Sequence, residues 1–210
     1  MTPTTTTKKE QELQSVRMLN LQLPTDPRWV NLAEMDLQEI LSDHAFCEQK
    51  AASNCISLVQ SYSDYEEIVE RVAPIVTEEW GHFRQVLAEM KKRGLQLGRQ
   101  RKDEYVGKLR KFFKKHPNRE EKLLDNLLVA GLIEARSCER FRLLSLHISD
   151  PELRDFYHRF MVSEAGHYVL FLDLARKYCG KEATETRWQE WLAYEATVMQ
   201  ELDVRGDRMH

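Results

Sequence analysis

Four long stretches of the chain repeat apolar side chains in alternating steps of three and four, the spacing that lines one face of an α-helix. The first stripe is Leu37, Leu41, His44, Glu48, Ala51, Cys55 and Leu58; the second is Ile68, Val72, Ile75, Glu79, His82 and Val86. The third runs through Leu124, Leu127, Gly131, Glu134, Cys138, Phe141 and Ile148, and the fourth through Leu153, Tyr157, Phe160, Glu164, His167, Phe171, Leu174 and Tyr178. Such seams bury against one another, which predicts an all-α protein built on a four-helix bundle. Each seam is also broken near its middle by a carboxylate, where an unpaired charge would be expensive.

Local signals set the expected boundaries. Residues 1–20 are polar and Thr-rich and read as a mobile leader before a single domain over 21–210. Asp26-Pro27 predicts a short leading helix capped by Asp26, and the first long helix should run to about Ser61. Ser63-Asp64-Tyr65-Glu66 reads as a capping box opening the second helix. Pro74 should break or kink that helix upstream of Glu79, and Lys91-Lys92-Arg93 with Gly94 should end it. The segment from Gly94 to Asn118 is too long for a hairpin turn and reads as a crossover, with a short helix expected from about Glu104 to Phe113. The third long helix should span about Asn118 to Ile148; Ser149-Asp150-Pro151 caps the fourth, which stops at Cys179-Gly180. A fifth, amphipathic helix from about Glu185 to Val204 carries Trp188, Trp191, Leu192, Glu195, Val198, Met199 and Leu202 and should pack on the bundle; base stacking by the Trp pair is the lesser alternative.

The interrupting residues form a pattern of their own. Glu79-Trp-Gly-His82 and Glu164-Ala-Gly-His167 repeat one motif, and residues three apart on a helix present a carboxylate and an imidazole to the same point. Glu48 precedes Glu79 by 31 positions and Glu134 precedes Glu164 by 30, so the chain reads as two similar hairpins. Two single Glu and two Glu-x-x-His motifs are the ligand set of ferritin-like di-iron carboxylate bundles. Mutual satisfaction of these groups by one another and by water would explain each residue but not the matched spacing. Glu139 lies on another face among Arg136, Arg140 and Arg142, so Glu134 is the candidate and Glu139 a salt-bridged residue. His44 reads as a core His rather than an extra ligand. Cys47, Cys55, Cys138 and Cys179 contain no C-x-x-C pair and read as reduced, buried thiols, with thiolate ligation by Cys47 or Cys138 the lesser alternative.

Composition narrows the class further. In 210 residues, 31% charged and 42% hydrophobic with few Gly or Pro suit a helical protein, and no apolar run is long enough to span a bilayer. The start has no signal-peptide core, so a cytoplasmic location and no membrane partner are expected. Formal net charge is only -3, yet residues 91–119 hold twelve Lys or Arg against Asp103 and Glu104. Arg99, Arg101, Lys102, Lys108, Arg110, Lys111, Lys114 and Lys115 are therefore the candidate contacts to a polyanion. Tyr105, Phe112 and Phe113 among them suit either base stacking or anchorage of the crossover to the bundle.

The stretches LPTDPRWVNLAEMDLQEIL, DHAFCEQKAASNCISLVQSY, EEWGHF, LLVAGLIEARSCERF and SEAGHY, in this order and spacing, resemble the tRNA 2-methylthio-isopentenyl-adenosine hydroxylases over nearly the whole chain after residue 20. That resemblance implies a ferritin-like di-iron monooxygenase that uses O2 and an external reductant to hydroxylate the isopentenyl group of the modified adenosine beside the tRNA anticodon. Partners would be tRNA carrying the prenylated adenosine and an electron-transfer donor. Glu48, Glu79 and His82 would hold one iron and Glu134, Glu164 and His167 the other, with one or two carboxylates bridging. The rivals are a ferritin-like ferroxidase or iron-handling protein without an RNA substrate, and a non-enzymatic helical RNA-binding protein.

Overall fold

The computed structural model describes residues 19–210, and all regular structure among them is helical. The expected leader lies outside the described residues except for its last two, and Leu19 is already buried. α1 (Trp29–Glu34) is followed by α2 (Leu37–Ser61) and α3 (Glu66–Lys92), which pack together as one hairpin. A crossover containing α4 (Glu104–Leu109) and a 3₁₀ turn (Arg110–Phe112) leads to the second hairpin, α5 (Arg119–His147) and α6 (Pro151–Cys179). α7 (Lys181–Glu201) returns along α5 and α6 and also covers α4.

Most ends form as their residues dictate. Asp36 caps α2 by accepting the Glu39 N–H, Asn118 and Glu121 close a capping box on α5, and Asp150 accepts the N–H groups of Glu152 and Leu153 ahead of α6. α3 ends as expected at Gly94, whose φ of +70° lets its N–H reach Lys91 O at 3.1 Å and the Leu95 N–H reach Met90 O at 2.9 Å.

Four boundaries differ. The leading helix starts at Trp29 rather than Pro27, because Asp26 turns the chain first by accepting the Arg28 N–H at 2.9 Å. No capping box forms at Ser63–Glu66; Tyr65 is the N-cap, and the hydroxyl of Tyr178 on α6 accepts the Glu67 N–H at 3.3 Å instead. α3 runs through Pro74 without a break, with Val72 and Ile75 buried on either side of it. The fifth helix begins at Lys181, four residues early: Gly180 at φ +84° reverses the chain within one residue, and Thr184 bonds back to Gly180 O at 2.7 Å.

The crossover aromatics are anchors. Tyr105 is buried, Phe112 stacks on Tyr194 with ring centroids 4.3 Å apart, and Phe113 meets Trp191 edge-on at 5.6 Å. Trp188 and Trp191 are buried as well, which rules out base stacking by that pair in this conformation. Asp125 on α5 ties these layers together, accepting from Arg187 at 2.7 Å, Trp191 Nε1 at 3.0 Å and the Lys114 N–H at 3.1 Å. Beyond α7 the chain stays docked. Met209 is fully buried and donates its N–H to Asp43 at 2.8 Å, while Arg101 pairs with Asp207 at 2.6 Å.

Candidate metal centre

The six predicted donors arrive from four helices: Glu48 from α2, Glu79 and His82 from α3, Glu134 from α5, and Glu164 and His167 from α6. All are at most 7% exposed. They fall into two overlapping groups, Glu48/Glu79/His82/Glu164 and Glu79/Glu134/Glu164/His167, in each of which the donor atoms lie within 4.8 Å of one another. Glu79 and Glu164 belong to both. Each expected trio is thus intact and is joined by the Glu of the opposite motif.

Both imidazoles turn Nδ1 to the middle. His82 Nδ1 lies 3.3 Å from Glu48 Oε2, 3.6 Å from Glu79 Oε2 and 3.7 Å from Glu164 Oε1. His167 Nδ1 lies 2.8 Å from Glu79 Oε1 and 3.3 Å from Glu164 Oε2. Proximity does not amount to satisfaction, however: both Glu79 oxygens, Glu164 Oε1 and His82 Nδ1 make no directed hydrogen bond although they are buried. Four carboxylates and two imidazoles with such orphaned lone pairs fit a pair of divalent cations of the iron or manganese kind.

Electrostatics in the protein alone point the same way. Burial, then the charge of Glu79, pushes the Glu48 carboxyl well above its usual range; burial and Glu164 do the same to Glu134. Burial disfavours a charged His82, but the carboxylates of Glu48 and Glu79 outweigh it and lift the imidazole to about 10. Burial opposes ionisation of Glu79 too, yet its contacts with His167 and His82 bring it down to about 2. Without a cation, protons must neutralise a cluster of this composition.

The other candidates sort out around this centre. His44 joins neither donor group. Its Nε2 lies 2.8 Å from Glu48 Oε1, its ring is enclosed by Phe141, Phe156, Tyr157 and Phe160, and burial holds it well below its ordinary pKa. Glu139 is salt-bridged to Arg136 and accepts from Thr25. Cys55 and Cys138 are buried, Cys47 and Cys179 partly so, and none of the four joins the carboxylate–imidazole groups. Burial pushes the Cys55 thiol up to about 12 and Cys47 well above its normal value, which disfavours thiolates. Cys47 does approach Asp103 and His210, but the Lys50 ammonium is already 2.6 Å from Asp103.

A cavity of about 540 Å³ opens on the centre from the α2/α5 side. Glu48, Glu79, Glu134 and Glu164 form its floor, Ala51, Cys55, Val129, Ala130 and Ile133 an apolar middle, and Lys50, Lys102, Arg110 and Phe113 part of its rim. The basic crossover divides accordingly. Arg101 pairs with Glu39 and Asp207, Lys108 with Glu201 at 2.6 Å, and Lys114 with Glu121 at 3.0 Å. Arg99, Lys102, Arg110, Lys111 and Lys115 are exposed with no ion-pair partner among the described residues, and of the eight candidates only Lys102 and Arg110 line the cavity.

Sequence reasoning missed three contributors. Lys50 at the rim is two residues beyond Glu48, and His210 in the cavity wall belongs to a tail that carries no periodic signal. Glu78, half-exposed and 3.2 Å from His167 Nε2, did leave a signal: it stands four residues before His82. The His167 contact holds its carboxyl down at about 2.

Among the described residues no helix is long and apolar enough to cross a membrane. The fold is shared with a solved structure, Protein 43 with aldehyde deformylating oxygenase activity from Synechococcus, at a TM-score of 0.85 and 36% identity over 90% of this chain and 94% of that one. Two tRNA 2-(methylsulfanyl)-N(6)-isopentenyladenosine(37) hydroxylases are similar in sequence. The one from Pseudomonas putida strain KT2440 is 40% identical over 86% of both chains, and the one from Salmonella typhimurium strain LT2 is 26% identical over 77% of both. The model of the family described as tRNA-(MS[2]IO[6]A)-hydroxylase (MiaE) matches residues 11–210. This ferritin-like helical chain, with its inward carboxylates and imidazoles, belongs to that hydroxylase family.

Proposed function

We propose that the chain is an O2-dependent di-iron monooxygenase that hydroxylates the isopentenyl group of 2-methylthio-isopentenyl-adenosine beside the tRNA anticodon. The observation that carries this reading is the cavity, which runs from a floor of four buried carboxylates past apolar side chains to the exposed cations Lys102 and Arg110. A prenylated nucleotide has the same order of chemistry: an apolar branched tail, a base, and phosphates at the far end.

Glu48, Glu79, His82 and Glu164 would hold one iron and Glu79, Glu134, Glu164 and His167 the other, with Glu79 and Glu164 shared. The bound irons supply reductive activation of dioxygen, so that one oxygen atom enters a C–H bond and the other leaves as water, with two electrons and two protons from an external donor. The protein's own part is placement. Ala130, Val129 and Ile133 receive the prenyl group and keep water from the floor; Lys102 and Arg110 meet phosphates at the rim, where the Lys50 ammonium is held by Asp103. The base has to leave the loop stack to enter, the usual route for chemistry on a nucleoside. A tRNA substrate places the activity in the cytoplasm. Exposed Arg99, Lys111 and Lys115 extend the cationic surface away from the cavity, whereas Arg101, Lys108 and Lys114 serve the fold through their ion pairs.

Nucleoside mass spectrometry tests the proposal. After incubation of the iron-loaded chain with prenylated tRNA, reductant and oxygen, that nucleoside should gain one oxygen atom, and Glu164→Ala should abolish the gain. Oxidation of iron without change in the nucleoside would favour the iron-handling alternative.

A further inference from the structure

With Nδ1 of both imidazoles turned inward, both Nε2 atoms point away from the cavity, toward the outer side of α3 and α6. There they meet the same side chain. Glu78 Oε2 lies 3.2 Å from His167 Nε2, and Glu78 Oε1 lies 4.0 Å from His82 Nε2. Glu78 comes from α3, one residue before Glu79, and the Ser163 hydroxyl on α6 donates to its Oε1 at 2.5 Å. The carboxylate is therefore fixed to the facing helix, close against His167 and at the edge of ion-pair range of His82. Among the described residues no other carboxylate approaches either Nε2 within 4.0 Å. The His167 N–H direction misses the oxygen, so charge at short range holds this pair rather than a directed hydrogen bond.

A ring that offers Nδ1 to a metal carries its proton on Nε2, and an acceptor behind Nε2 fixes both tautomer and ring plane. Each imidazole ligand usually has its own acceptor. Here one carboxylate stands behind two rings whose centroids are 6.2 Å apart, and it sits at the surface, 49% exposed, rather than in the core.

We propose that Glu78 is the positioning residue for both imidazoles, a single surface carboxylate that orients His82 and His167 toward the two metal positions together. The inference rests on the metal-centre reading above. Its consequence is that a change at one exposed residue weakens both metal positions, although Glu78 itself touches neither donor group's interior.

The test is anaerobic titration of the metal-free chain with ferrous iron, read by affinity, by stoichiometry and by the low-field EPR signal of the reduced pair. Glu78→Ala should weaken binding of both ions by about 10- to 100-fold, the usual effect of losing a partner behind a metal-bound imidazole, and alter the EPR signal, while circular dichroism stays unchanged. Glu78→Gln, which keeps the size of the side chain but loses the charge that holds the His167 contact, should recover little of the affinity. Ser163→Ala removes the bond to the facing helix but leaves both ring contacts, and should bind iron like the parent chain. Parent-like affinity and EPR signal in Glu78→Ala would overturn the assignment. So would a Ser163→Ala variant as weak as Glu78→Ala, because helix packing would then account for the loss. If the parent chain itself bound no ferrous iron, the metal-centre reading would fail and this inference with it.

Discussion

The two hairpins carry the same donors in different surroundings. Four residues before Glu48, α2 has His44, 2.8 Å from that carboxylate and walled in by four aromatic rings. Four residues before Glu134, α5 has Ala130, which lines the cavity together with Val129 and Ile133. Both carboxylates line the cavity, but the side chain one turn before Glu48 is packed core, whereas the one a turn before Glu134 faces the open space. The repeated donors fix where metal ions can sit; the departure from the repeat fixes where a substrate can reach them.

The sharpest way to break the comparison is through the carboxylates. Glu79 and Glu164 belong to both donor groups, whereas Glu48 and Glu134 belong to one each. Glu79→Ala or Glu164→Ala should therefore remove both irons and all turnover, and Glu48→Ala or Glu134→Ala should leave one ion bound, as counted by metal analysis. Next in size is Ala130→Leu, which fills the cavity beside Glu134. It should retain both irons and lose about 100-fold in turnover, the scale expected when a reacting group is displaced by about an ångström.

A smaller effect is expected from the rim. Lys102→Ala and Arg110→Ala should each weaken tRNA binding and reduce the slope of log affinity against log salt by about 1, while Lys108→Ala, whose cation is committed to Glu201, should leave the slope unchanged. Smallest is a pH effect on the metal-free chain. The folded state lifts His82 from the ordinary imidazole value of 6.5 to about 10, so the stability it contributes is complete below 6.5 and is lost as pH rises toward 10. The raised carboxyls of Glu48 and Glu134 act in the same direction, because the folded state must give up protons it holds. Melting temperature should fall as pH rises through this window in the metal-free chain and stay nearly flat after iron loading; a flat profile in both forms would contradict the cation-seeking electrostatics.

Much of this architecture was legible because local chemistry and helical period agree. Asp150-Pro151, the Asn118–Glu121 box and Gly94 each act within a few residues of themselves, and their helices begin and end where those signals stand. The shifted starts of α1 and α7 come from local turns at Asp26 and Gly180, and the other misses share one cause, a partner distant in sequence. Tyr178 supplies the acceptor at the start of α3 from 111 positions away, so the Ser63 box is not needed there. Arg101 finds Asp207 at a separation of 106, and Lys108 finds Glu201 at 93, so a run that reads as a free basic surface is partly neutralised. The six donors were legible as a set because their seams demand burial. Glu78 did not stand out, since an exposed Glu on a charged helix is ordinary until the rings behind it are placed.

The most direct test of the two-sided centre is iron-edge anomalous diffraction from crystals loaded with ferrous iron and a prenylated adenosine. The account predicts two iron peaks, each reached by both Glu79 and Glu164, with the prenyl group against Ala130 in the cavity and the imidazoles on the opposite side. A single peak, or a nucleoside bound on the Glu78 side of the bundle, would contradict it.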